Sequence, residues 1–203
     1  MRSTNVSEGP GTASGGRRAA QREATRARLF EETVDEFKQR GFADTEIAVI
    51  TNRVGLSRGA FYMHFAGKDE VLSELLLIEE RRIAAASRLV CDQGVALDEV
   101  FSGVVDAVLA AERRLGRRLV RDLCAAQFRP DFVQAHDVGD HPIGLMLIDA
   151  VADRLPKADP VDLAMTFLTA LFGLLATDDA PQAARRRRLD LLVQLVAAGP
   201  AET

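Results

Sequence analysis

Residues 45–70, TEIAVITNRVGLSRGAFYMHFAGKDE, constrain the architecture more tightly than any other stretch of the chain. They carry two short helical patterns joined by a turn at Val54-Gly55-Leu56. Asp44 or Thr45 can N-cap the first helix by accepting a backbone N–H bond, and Ile47 and Ile50 fall on its inward side. Gly55 stops it, and Ser57 is placed to cap the second helix, which runs to about His64.

The rest of the chain is helical by the same reasoning. Upstream, Leu29, Phe30, Thr33, Val34 and Phe37 recur at spacings of three and four, which predicts a helix from about Gln21 to a stop at Gly41. Phe42 can fold back onto that stripe. Downstream, Gly67 to about Val90 reads as a longer helix with Val71, Leu72, Leu75, Leu76 and Ile83 inward. Further helical patterns fall at about 95–114, 115–127, 142–154, 160–177 and 181–198. Pro142, Pro160 and Pro181 sit where a first-turn proline costs nothing, because that N–H has no helical partner. The stretch 128–142 carries Pro, Gly and Asp signals and reads as a loop. No alternating strand pattern of useful length occurs. The expectation is an all-α chain of about nine helices: a disordered basic arm over 1–20, a helix-turn-helix domain over 21–66, and a larger helical domain over 67–203.

Charge is unevenly spread. The net charge is −4, yet residues 1–28 hold six arginines against two glutamates, which is +4 and leaves −8 for the remainder. Residues 1–20 are rich in Gly, Ser, Thr and Ala and lack large apolar groups, so they cannot bury enough surface to offset ordering entropy. A local basic arm on an acidic body suits a protein that touches a polyphosphate at one end only. No unbroken apolar run of membrane-spanning length and no apolar signal segment is evident, so a cytoplasmic protein with no membrane partner is expected. Cys91 and Cys124 are isolated and read as small buried apolar residues of a reducing compartment.

Enzymatic function finds no support. The chain lacks a Gly-rich phosphate loop, G-x-S-x-G, H-E-x-x-H and paired cysteines, and its three histidines and one tyrosine leave little for acid–base work. His136 and His141, with Asp137 and Asp140, cluster in the expected loop, but their spacing matches no recognised metal site. Neither a metal nor another cofactor is expected.

Two helices around a tight glycine-containing turn can set the second in the major groove of DNA. Ser57, Arg58, Ala60 and Tyr62 lie at or near the start of that second helix, where free N–H groups and the helix dipole favour phosphate. Arg58 is its one long cation, and a guanidinium can grip guanine O6 and N7 with two bonds. Ala60 suits a thymine methyl, and Gly59 allows the backbone to approach DNA closely. Phe61 and Phe65 point the other way, into a small core.

The stretch GFADTEIAVITNRVGLSRGAFYMHFAGKDEVL, residues 41–72, resembles the N-terminal domain of the tetracycline-repressor (TetR) family of transcriptional regulators. Gly41, Phe42, Thr45, Gly55, Ser57, Gly59, Phe61, Tyr62, His64, Phe65, Lys68 and Asp69 match the family pattern in order and spacing. The resemblance implies DNA-side roles for Thr45, Ser57, Arg58, Gly59, Ala60, Tyr62 and His64, and a phosphate contact for Lys68. Glu46 and Ala48 depart from the pattern and weaken helix 2 as a contact element, which shifts weight to Arg17, Arg18 and Arg22 of the arm, reaching the adjacent minor groove.

The same resemblance implies a ligand cavity among the middle helices. Candidate lining residues are Phe101, Val105, Leu119 and Leu123, with Phe128, Phe132 and Met146; they are apolar and suit a small hydrophobic or aromatic effector. The same residues can equally fill a solid core. Residues 160–177 are apolar nearly all round and must be covered on every face. The resemblance implies that they pair with the last helix and its mates in a homodimer seam, through Phe167, Leu168, Leu171, Phe172 and Leu175, with Leu192 and Leu195. A symmetric dimer on a pseudo-palindromic operator follows, with effector binding rotating the helix that starts at Gly67-Lys68-Asp69 and releasing DNA. The alternative is a DNA-binding regulator with no small-molecule ligand: constitutive, activating or controlled by a protein partner.

Overall fold

The computed structural model describes residues 12–129 and 141–199. Among them are nine helices and no strand: α1 (Thr12–Arg40), α2 (Ile47–Val54), α3 (Arg58–Tyr62), α4 (Lys68–Cys91), α5 (Leu97–Leu115), α6 (Arg117–Ala126), α7 (Pro142–Arg154), α8 (Pro160–Thr177) and α9 (Gln182–Ala197). The all-α expectation and the helix positions agree with this order.

The first three helices close over a small aromatic core. Leu29 and Phe37 of α1, Ile50 of α2, and Phe61 and Phe65 around α3 are all fully buried. The rings meet one another: Phe61 and Phe65 lie 5.6 Å apart and Phe30 and Phe65 6.5 Å. Burial of each such side chain is worth about 1.5–3 kcal/mol, which the short α2 and α3 need because neither holds its shape alone. Two glycines set the corners. Gly41 ends α1 at φ +83°, and Gly55 ends α2 at φ +70°, a left-handed conformation that side chains with a Cβ rarely adopt.

Two expectations need correction here. The disordered arm over 1–20 does not hold for its second half: α1 begins at Thr12, and residues 16–24 are exposed helix. Ala, Arg, Gln and Glu dominate residues 17–24 and are good helix formers, so the extension propagates from a nucleus already packed downstream. Residues 1–11 lie outside the described residues. The cap of α2 also differs. Glu46 holds the N-cap position without a side-chain bond, and the buried Thr45 hydroxyl instead donates to Gly41 O at 2.8 Å.

The larger helical part packs α4 against α5 and α7, α6 and α7 against α8, and α9 against α5 and α8. All five inward residues expected on α4 are buried. Among the described residues, α8 is long and apolar enough to cross a membrane by length and composition alone, which an unbroken apolar count does not reveal. It packs against three neighbouring helices, and this corrects the expected seam. Phe167, Leu168, Leu171 and Leu175 are buried within their own chain. Phe172 and Leu192 are half-buried, and only Leu195, 66% exposed beside exposed Leu191, faces outward.

Candidate nucleic-acid interface

Helix α3 is short and well defined. The Ser57 side chain accepts from Ala60 N–H at 3.2 Å, the N-cap expected from sequence. Phe61 points inward, so the residues around the rest of the helix are turned out. Arg58 and Gly59 are exposed, Ala60 is half-buried, and Tyr62 is 56% exposed with its ring edge-on to Phe61. Arg58 makes no ion pair with any described residue. Met63, missed by sequence reasoning, is 72% exposed at the C-terminal end of α3 and extends the same outward surface. Its signal was present: it follows Tyr62 directly, on the side of the helix away from Phe61 and Phe65. His64 is half-buried at the rim.

Two expected DNA contacts have other work. Thr45 is buried and closes the α1–α2 turn. Lys68 donates to Phe42 O at 2.7 Å, Ala43 O at 3.0 Å and Thr45 O at 3.3 Å, and its ammonium sits 4.7 Å from the Phe42 ring centroid. An ammonium has three protons, and three carbonyls take them, so none is left for a phosphate in this arrangement. The physical reason is the turn itself: its carbonyls converge at the start of α4.

Arg17, Arg18 and Arg22 are exposed on α1 and have no partner among the described residues. Arg18, Arg22 and Arg26 are four residues apart and share a face. Arg26 is tied down, donating to Glu74 at 3.0 Å and lying 4.5 Å from the centroid of the Phe65 ring. The exposed arginines therefore extend from the three-helix unit that carries α3.

The candidate ligand residues do not converge. Among the described residues, the cavity between α4, α5, α6 and α8 has a volume of about 30 Å³, room for a water or two, whereas ligand sites run to hundreds of Å³. Leu123 lines it, together with Leu76, Ile83, Val108, Cys124 and Phe172. Phe101 stacks on Phe167 at 4.3 Å, and Val105 and Leu119 are solid core. Phe128 is 47% exposed beside Gly173, and Met146 accepts a bond from the Cys91 thiol at 3.6 Å on a separate surface cleft. Phe132 lies outside the described residues, as do His136, Asp137 and Asp140. No group of three or more metal-ligating side chains occurs among the described residues.

Sequence reasoning also missed two buried acids on α4. Glu79 pairs with Arg82 and Arg114. Glu80 accepts from Gln127 at 2.9 Å and lies 3.1 Å from His141 Nδ1. Both fall in the apolar register of Leu72, Leu76 and Ile83, and a carboxylate on that stripe is the signal of a buried polar contact. Burial pushes the Cys124 thiol up to about 12 and also raises that of Cys91, so neither is a reactive thiolate.

A capped recognition helix with an outward Arg, Tyr and Met face, held on an aromatic three-helix core, defines a helix-turn-helix protein. Residues 29–75 match the family model described as bacterial regulatory proteins, tetR family. That match spans the three-helix unit and the start of α4, and over it the chain is similar to members of the family. It is 40% identical over 58 residues to the HTH-type transcriptional regulator SrpR of Pseudomonas putida, covering 29% of this chain and 27% of that protein. It is 28% identical over 95 residues to AcrR of Shigella flexneri, covering 44% of each. The chain thus spans less than half the length of the curated relatives it matches. Among solved structures, FadR of Thermus thermophilus, a TetR-family repressor in complex with lauroyl-CoA, superposes with a TM-score of 0.70 at 18% identity, over 88% of this chain and 96% of that one. The ketosteroid regulator KstR2 of Mycobacterium tuberculosis gives 0.53 at 20% identity, over 88% and 96%. These structural likenesses concern the fold.

Proposed function

We propose that this chain is a cytoplasmic, non-catalytic transcriptional regulator, acting as a repressor that binds a pseudo-palindromic operator as a homodimer. The observation that carries the reading is the outward face of α3: Arg58, Gly59, Tyr62 and Met63 exposed together on a helix capped by Ser57. One helix of five residues reads too few base pairs for specificity, and a two-fold dimer on half-sites about 34–36 Å apart is the usual remedy. Leu191 and Leu195, exposed on α9, support a seam there. Arg17, Arg18 and Arg22 add phosphate contacts from a helical rod rather than from an extended strand in the minor groove.

The repressor would be released by a small hydrophobic effector that opens the cavity between α4, α5, α6 and α8. The lauroyl-CoA held by FadR supports a hydrophobic class. A second reading, regulation without a small-molecule ligand, is favoured by the cavity's volume of about 30 Å³. Both are tested on the full-length protein. Selection from random duplexes should enrich an inverted repeat, and enrichment of no sequence would sink the DNA reading. Anisotropy on the selected duplex, with lauroyl-CoA and with neutral aromatic compounds as probes, then separates the two: ligand-dependent loss of binding favours the effector, and none favours the ligand-free regulator.

A further inference from the structure

The surface cleft beside Cys91 and Met146 belongs neither to the three-helix unit nor to the cavity between α4, α5, α6 and α8. Its volume is about 470 Å³, within the range of roughly 300–1,000 Å³ that small-molecule sites occupy. Two helices form its walls. Arg88, Cys91 and Asp92 recur at spacings of three and four at the end of α4, and Met146, Asp149, Ala150 and Asp153 do so along the second half of α7.

The floor is apolar and fixed. Met146 is buried, the Cys91 thiol donates to its sulfur at 3.6 Å, and Val95 and Ala150 line the same cleft. Arg154 bolts the walls together, donating to Val95 O at 2.8 Å, Cys91 O at 3.0 Å and Ala150 O at 3.2 Å. Gly94 turns the chain away from α4 at φ +68°. A cleft held this way needs little reorganisation to accept an occupant.

The rim is charged and unpaired. Arg88, Asp92, Asp149 and Asp153 are exposed, and none of their side chains makes an ion pair with a described residue, although Arg88 and Asp92 are one helical turn apart. The aspartates also stand where a helix least favours them. Asp92 caps the C-terminus of α4 and Asp153 lies in the last turn of α7, ends at which the backbone dipole already carries partial negative charge; Asp149 stands one turn further back. Three carboxylates and two helix C-termini thus converge on one cleft, where Arg88 is the one cation without a bonded partner among the described residues.

We propose that this cleft binds a small α-amino acid that carries a second cationic group on its side chain. Such a molecule matches the cleft group by group. Its carboxylate suits the Arg88 guanidinium, which can hold it with two hydrogen bonds. Its two cationic groups suit the aspartates of the two walls, and its methylene stem suits the floor at Met146 and Val95. Three aspartates against Arg88 and Arg154 leave the cleft a net charge of −1, which a ligand of net charge +1 neutralises. A neutral amino acid lacks the second cation, and a diamine lacks the carboxylate and leaves Arg88 facing like charge. The cleft is separate from α3 and from the effector cavity, so the proposal stands whether or not the chain reads DNA.

Isothermal titration of the full-length protein with L-lysine tests this, beside L-norleucine, which lacks the second cation, and cadaverine, which lacks the carboxylate. L-lysine should saturate one site per chain and bind at least about tenfold more tightly than either comparison probe, since each charged group adds a charge-assisted hydrogen bond. Arg88→Gln should weaken L-lysine at least about tenfold and leave cadaverine no weaker, whereas Asp153→Asn should weaken both. These side chains are exposed, so the variants should melt with the parent; Asp149→Asn is the second acidic variant should Asp153→Asn fold poorly. No saturable binding of L-lysine up to about 10 mM would overturn the proposal. So would binding that neither the Arg88 nor the aspartate variants weaken, or that L-norleucine or cadaverine equals.

Discussion

The two ends of this molecule use apolar residues differently. In the three-helix end, Phe61 and Phe65 have one place to go, because α1, α2 and α3 enclose a single small core, and Arg58, Gly59 and Tyr62 of α3 are thereby turned outward. In the larger helical part, Leu, Val and Phe residues have three possible destinations: the solid core, a cavity wall or a seam between copies. Phe167 and Leu171 read as seam and lie in the core, and Phe101 reads as cavity wall and stacks on Phe167. The lesson is that an outward face is legible when the inward residues leave no choice.

The comparison breaks most readily at Phe61. Phe61→Ala removes the side chain on which α3 is oriented, and should cost about 3–5 kcal/mol. Circular dichroism melts should show the reader unfolding first, with the helices after α4 retained. Simultaneous loss of both parts would mean that the two cores are one cooperative unit, and the contrast would fail.

Lys68 sharpens the contrast, because sequence and structure assign it to different tasks. Lys68→Met keeps the stem over Phe42 and removes the charge that satisfies three carbonyls. The expected loss is about 1–3 kcal/mol of stability, from carbonyls left without a charged donor. The slope of log K against log salt on the selected duplex should stay unchanged. A slope shallower by about 0.9 would assign Lys68 to a phosphate after all.

Arg58 carries the opposite signature. Arg58→Ala should leave the melting temperature within a degree or so, since the side chain is exposed and unpaired. Discrimination at one base pair per half-site should fall by about 1–3 kcal/mol, read by competition against single-base variants of the selected duplex. A uniform loss across all sequences would make Arg58 a phosphate contact instead.

These residues also mark how far the sequence could be read. Helix order, the Ser57 cap and the Gly41 and Gly55 stops follow from local backbone chemistry, which one stretch of chain carries by itself. The exposed Arg58 and Tyr62 follow from periodicity around Phe61. The tasks of Thr45 and Lys68 do not, because the carbonyl cluster they satisfy exists only once α1, α2 and α4 have met. Glu79 and Glu80 were visible as acids in an apolar register, yet their partners Arg114, Gln127 and His141 lie tens of residues away in the chain. The bond from Phe42 N–H to Asp122 of α6 is hidden for the same reason: Asp122 and Phe42 are separated by 80 residues.

The smallest expected effect lies in the larger part, at the α8–α9 turn. Asp178 accepts from Ala180 N–H at 2.8 Å and pairs with Arg188 at 2.6 Å; these, in that order, hold its carboxyl below the usual carboxylate range. Because the folded state binds that proton less readily than the unfolded chain does, Asp178 contributes stability above the ordinary carboxylate pKa, and the contribution fades as pH falls through and below that range. Asp178→Asn keeps an acceptor for Ala180 N–H and removes the charge. Its melting temperature should lie slightly below the parent's at pH 7, and the two curves should converge between about pH 4 and pH 2. A constant offset at every pH would mean that the side chain acts through packing alone. No such acid-dependent loss is expected from Phe61→Ala, whose deficit is apolar, so the pH profile distinguishes how the two ends are held together.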